Sequence, residues 1–94
     1  MHARVNTAAV QPDQIDELVA AMRPLLPRAR EQGGLKGVLV LGDRRTGKIV
    51  LVSRWASEAA ANAAEPLYQD AMRELGRFMA APPTRDPYEV LLEE

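Results

Sequence analysis

Apolar residues recur along this chain at two periods, about 2 and about 3.6 residues, and the switches between them mark the elements. Over residues 2–9, Val5 and Thr7 alternate with Arg4 and Asn6, which predicts a short first strand of mixed polarity. Gln11, Pro12 and Asp13 then open a helix. Proline suits a first turn, and Asp13, Asp16 and Glu17 complement the positive end of the helix dipole. Ile15, Leu18, Val19, Met22, Leu25, Leu26 and Ala29 follow at helical spacing and form one stripe. Pro24 and Pro27 each remove an intrahelical hydrogen bond, predicting a kink near Pro24 or a second short helix. Gly33-Gly34 closes this part of the chain.

Two strands, residues 35–41 and 48–55, flank the polar, glycine-bounded connector Gly42-Asp43-Arg44-Arg45-Thr46-Gly47, and together read as a hairpin. Ser57 is a good N-cap for a second helix, and Pro66 predicts a kink or restart within it. Leu67, Ala71, Met72, Leu75, Phe78 and Met79 supply its apolar stripe. Residues 80–87 read as a loop, and residues 88–92 as a last strand. The order β-α-β-β-α-β, with short right-handed connections, implies an α+β fold. It is the ferredoxin-like sandwich, two helical layers on one face of a four-stranded antiparallel sheet. One domain over residues 1–94 is expected, with no repeat or linker. The hairpin strands carry apolar residues in both parities, Leu39 and Leu41 beside Val38 and Val40, and Val50 and Val52 beside Ile49 and Leu51. Strands apolar on both faces want both faces covered. A second copy is the simplest cover, so a homodimer is expected.

Composition narrows the chemistry. Twelve Lys and Arg stand against thirteen Asp and Glu, so bulk charge draws the chain neither to nucleic acid nor to an anionic membrane. There is no cysteine, hence no disulfide, thiolate metal site or cysteine nucleophile. No apolar run approaches the ~18 residues of a membrane span, which makes a cytoplasmic location the expectation.

Gly42 to Lys48 matches the first seven positions of a phosphate-binding loop, but Ile49 stands where Ser or Thr must meet magnesium. The segment also feeds a strand instead of a helix, so it reads as a turn. RNA-recognition domains share the element order but stack bases on aromatics of the central strands. The third strand offers Val50, Val52 and Ser53 at those places. His2 is the only histidine, which excludes a histidine pair on a metal, and its place near the start predicts an exposed residue. A polar and aromatic set remains: Asn6 in the first strand, Arg54 and Trp55 at the end of the third, Tyr68 and Met72 on the second helix. The topology places the first and third strands side by side. Trp55 would then sit at the mouth of a sheet–helix cleft as a flat wall, with Asn6 and Tyr68 available to fix a polar ligand atom.

The junction Val52-Ser53-Arg54-Trp55-Ala56-Ser57-Glu58-Ala59-Ala60, the element order and the early-strand Asn6 resemble the antibiotic-biosynthesis-monooxygenase-like dimeric α/β barrels over nearly the full length. The Ala59–Ala64 segment looks most like uncharacterised members. The resemblance implies a cofactor-free oxygenase of a phenol or quinol, in which the deprotonated substrate itself reduces dioxygen. It implies that Asn6 and Trp55, which match positions the family uses, are catalytic and that Tyr or Arg side chains help orient the substrate. Arg54, Tyr68, Met72 and His2 are the candidate substrate-binding residues. The haem-degrading branch needs a histidine on the second helix, where this chain has Ala63, Ala64, Glu65 and Pro66. The expectation is therefore a dimeric barrel with no cofactor or metal and a small aromatic ligand. The alternative is a non-catalytic ligand-binding or accessory protein on the same scaffold, and the residues alone leave that choice open.

Overall fold

The computed structural model describes residues 1–94. In chain order it contains β1 (His2–Ala9), α1 (Ile15–Met22), α2 (Leu25–Glu31), β2 (Leu35–Asp43), β3 (Lys48–Trp55), α3 (Glu58–Ala63), α4 (Glu65–Leu75) and β4 (Thr84–Glu89). A short 3₁₀ turn precedes α1 and another follows α4. The sheet order is β2-β3-β1-β4 with every pair antiparallel, which is the ferredoxin-like arrangement. No helix is long and apolar enough to cross a membrane.

Proline divides each helical layer in two. α1 stops at Met22, and Pro24 becomes the N-cap of α2. Pro27 then falls in the first turn of α2, where a missing N–H is tolerated. Pro66 likewise occupies the first turn of α4, directly after α3 ends at Ala63. Ser57 caps α3 as expected, its Oγ accepting from the Ala60 amide at 3.1 Å.

The last strand runs earlier than the sequence suggests, over residues 84–89 instead of 88–92. The loop expected over residues 80–87 contains Pro87, a residue that disfavours a strand interior. Pro87 is accommodated because β4 lies at the sheet edge and pairs only with β1, where a missing N–H need not break a ladder. Leu91 and Leu92 lie beyond it, exposed.

Two clusters hold the helices to the sheet. Val10, Ile15, Leu18, Ile49, Leu75 and Phe78 form the larger, with Leu18 only 1% exposed. Trp55, Ala61 and Ala64 form the smaller at the other end of β3. The loop resembling a phosphate site is a turn. The Asp43 carboxylate accepts from the amides of Arg45 and Thr46, and Gly47 leads into β3 with φ +84. Arg44 at its tip pairs with Asp16 at 2.9 Å.

Strand register sorts the side chains. Arg4, Asn6 and Ala8 of β1 share the helix-covered face with Ile49, Leu51, Ser53 and Trp55 of β3. The opposite face carries Val5, Thr7, Val50, Val52, Leu39 and Leu41 across three strands, and no helix covers it. Leu39 is 56% and Leu41 47% exposed there.

Candidate functional site

Between the covered face of the sheet and the helices lies a cavity of about 160 Å³. Nineteen of its 24 lining residues are hydrophobic, so its few polar groups decide what it can recognise. These are Arg4, Asn6 and Ser53 from the central strands, Arg85 from β4, the Tyr68 hydroxyl and the Trp55 indole N–H.

Asn6 stands at the middle of β1, between Leu51 and Arg85 on the flanking strands. Its Oδ1 is buried and has no hydrogen-bond partner. An unmet buried acceptor costs about 1–3 kcal/mol, and folds retain few of them. Trp55, expected at a cleft mouth, is instead buried. Its Nε1 donates to Ser53 Oγ at 3.0 Å, which holds the indole as part of the cavity wall. Tyr68 and Met72 lie one turn apart on α4 and both reach the cavity.

A cluster of charges stands at the Arg4–Arg85 end. Glu65, in the first turn of α4, accepts from Arg85 Nη1 and from Gln69 Nε2, each at 2.9 Å. Arg4 Nη1 stands 3.6 Å from the same carboxylate, and Arg4 Nη2 donates to Asn62 Oδ1 on α3. The Arg85 guanidinium also lies over the Tyr68 ring, 3.9 Å from its centroid. The hydrogen bond from Arg85, then that from Gln69, lowers the Glu65 pKa from 4.5 to about 2.

This depression gives a pH prediction. The unfolded chain binds a proton at Glu65 before the folded one does, so the cluster stabilises the fold above pH 4.5. That contribution is lost as pH falls from 4.5 through about 2. The Glu65 side chain is 40% exposed, so screening keeps the effect small. Urea melts of Glu65→Gln between these pH values are expected to show a flatter acid limb than wild type. An unchanged limb would mean the cluster contributes nothing.

Two candidates fall outside the cavity. Arg54 neighbours Trp55 in a strand and therefore points to the opposite face. It lies over Gly37 and pairs with the Glu93 carboxylate, so a role in the cavity is not available to it. His2 is buried instead of exposed, because the terminus is tied into the sheet and Val90 N donates to Met1 O at 3.0 Å. Its Nε2 accepts from Arg4 Nε at 3.4 Å, and it does not line the cavity. Arg4, Ser53 and Arg85 do not stand out in the sequence as site residues. Arg4 and Ser53 share strand parity with Asn6 and Trp55, a signal that could have found them. Arg85 had none, since its segment read as loop.

The family model for antibiotic biosynthesis monooxygenases matches residues 1–74. No curated protein matches the chain in sequence. Among solved structures, Rv0793 from Mycobacterium tuberculosis superposes with a TM-score of 0.78 at 20% identity, covering 98% of this chain and 96% of that one. NE2512 from Nitrosomonas europaea, a protein of unknown function, gives 0.81 at 19% identity over 99% and 91% of the two chains. A structure named antibiotic biosynthesis monooxygenase gives 0.77 at 15% identity over 98% and 100%. At such identities the structures speak to the fold alone, and it is the same fold. With the family match spanning most of its length, this chain belongs to the antibiotic biosynthesis monooxygenase family.

Proposed function

We propose that this protein is a cofactor-independent monooxygenase-like enzyme whose substrate is a phenol or quinol held between sheet and helices. Asn6 and Trp55 are its reacting-end residues. The observation that carries this reading is the unpartnered Asn6 Oδ1 in an otherwise apolar cavity, which a hydroxyl donor on a bound ring would satisfy. Trp55 offers that ring a fixed flat wall, and Tyr68 and Met72 face it from α4. The chemistry balances without a redox cofactor. A phenol and dioxygen give a quinone and water, the substrate supplying the electrons that reduce the second oxygen atom.

One observation favours the alternative of a non-catalytic binding protein. No His, Asp, Glu, Lys or Cys lines the cavity to take a proton at neutral pH. Two readouts separate the readings. Trp55 is the only tryptophan, so quinols entering the cavity should quench or shift its emission saturably. Catalysis adds dioxygen uptake above the quinol's own autoxidation. Saturable quenching without uptake leaves the binding protein, and neither signal ends both readings.

The same proposal includes a homodimer formed through the open sheet face, where Leu39, Leu41, Val50 and Val52 lie together. Sedimentation at micromolar concentration is expected to return twice the 10.3 kDa chain mass. Val50→Lys, on that face, should give a folded monomer, since a charge cannot be buried unpaired. Leu51→Lys should instead damage the fold, because Leu51 lines the cavity. A wild-type monomer would refute the dimer.

A further inference from the structure

We propose that the Arg4–Arg85 end of the cavity is an anion subsite, and that the ligand is a single aromatic ring bound through one oxyanion. This rests on the aromatic-ligand reading above and adds the charge and size of the ligand.

Charge comes first. The only ionic side chains in the lining are two guanidiniums, and no carboxylate joins them. Glu65 pairs with both from outside the lining, which leaves the cluster with one net positive charge. Arg85 lies directly across from Asn6, and Arg4 is two residues from it on the same face. An oxyanion at this end accepts from the guanidiniums while its ring extends toward the apolar remainder. Asn6 Oδ1, itself an acceptor, is left to a second, protonated hydroxyl of the ring such as a quinol carries. Apolar walls strengthen the attraction by excluding water.

The proton must leave from the ligand. The charged and titratable groups facing the subsite are His2 and Arg4 from β1, Arg85 from β4 with the exposed Glu89 farther along the same face across from His2, and Glu65 and Tyr68 from α4. His2 already accepts from Arg4 and lies outside the lining, so none of these is placed to act as a base on the bound ring. Two guanidiniums beside a phenol favour its ionised form, which makes the phenol itself the titrating group.

Size sets the second limit. An apolar protein cavity of about 150 Å³ accommodates one benzene. At about 160 Å³ this cavity holds one substituted ring.

The test uses para-nitrophenol, whose ionised form is yellow, and para-nitroanisole, the same ring with its oxygen capped by methyl. At a pH where free para-nitrophenol is half ionised, adding protein is expected to increase the yellow form. The phenolate should bind about tenfold or more tightly than the anisole, as one charge-assisted hydrogen bond supplies. Arg85→Gln should erase that preference by weakening the phenolate. If Arg85→Gln does not fold, Glu65→Gln carries the test with opposite sign, tightening the phenolate several-fold and sparing the anisole. Equal binding of the two rings, or no response to either variant, overturns the subsite and leaves the aromatic cavity standing. Failure of both rings to bind ends the cavity reading and the subsite with it. A three-ring phenol binding as tightly as para-nitrophenol overturns the size limit.

Discussion

Asn6→Leu is expected to stabilise the protein and sharply weaken its proposed ligand chemistry together. In the wild type the Asn6 Oδ1 is buried with nothing to bond, so the fold carries its desolvation cost. Leucine is close in volume and has no polar atom, and it would pack between Leu51 on β3 and the aliphatic stem of Arg85 on β4. A gain of about 1 kcal/mol, roughly a 5 °C rise in Tm for a domain of this size, is expected by calorimetry. The same change removes the group proposed to orient the substrate oxygen. By analogy with the loss of one positioned hydrogen-bonding group, kcat/KM for quinol-dependent oxygen uptake should fall about 100-fold. A stability gain alone would show that Asn6 does not touch the ligand. A stability loss would show that Asn6 is structural, and the site assignment would fail.

Gly47→Ala carries the largest expected cost to folding. Gly47 has φ +84, and its amide and carbonyl join the hairpin turn to the end of β1. Its N donates to Asp43 O at 2.8 Å, and its O accepts from Val10 N at 2.9 Å. A Cβ there would lie 1.9 Å from the Val10 carbonyl oxygen, a backbone atom that cannot move aside without breaking this join. Strain and the lost hydrogen bond together predict a loss of about 3 kcal/mol or more in urea unfolding. Gly33 provides the comparison. It has a similar φ of +76, but a methyl group added there would meet nothing within 4 Å, so Gly33→Ala should cost only about 1 kcal/mol. Equal costs at the two positions would place the whole effect in backbone conformation and none in the contact.

The legible part of the site was the part carried by unusual residues. Asn6, Trp55 and Tyr68 stand out as polar or aromatic, Met72 follows Tyr68 one helical turn on, and all four meet in the cavity. Arg54 stood out equally and lies on the other face, because adjacent strand residues point to opposite sides. Arg4 and Arg85 were hidden for a different reason. Charged residues in marginal or loop-like segments look the same whether they are solvated or gathered around one carboxylate.

Periodicity, proline and glycine by themselves determined the order of elements, the split of both helical layers and the hairpin turn. These are local consequences of backbone geometry, and sheet order follows from them through short right-handed connections. Only the tertiary structure decided which parity of each strand the helices cover. That choice puts Leu51 in the cavity and Val50 on the open face, though the two residues are chemically alike. It also decided that Thr84–Glu89 is a strand, since Pro87 is acceptable only on an edge paired from one side. The same pairing carries Arg85 across from Asn6 and sets Glu65 between two arginines that lie 81 positions apart in sequence. No local pattern encodes that meeting. It exists because β1 and β4 are neighbours in the sheet and α4 begins above them.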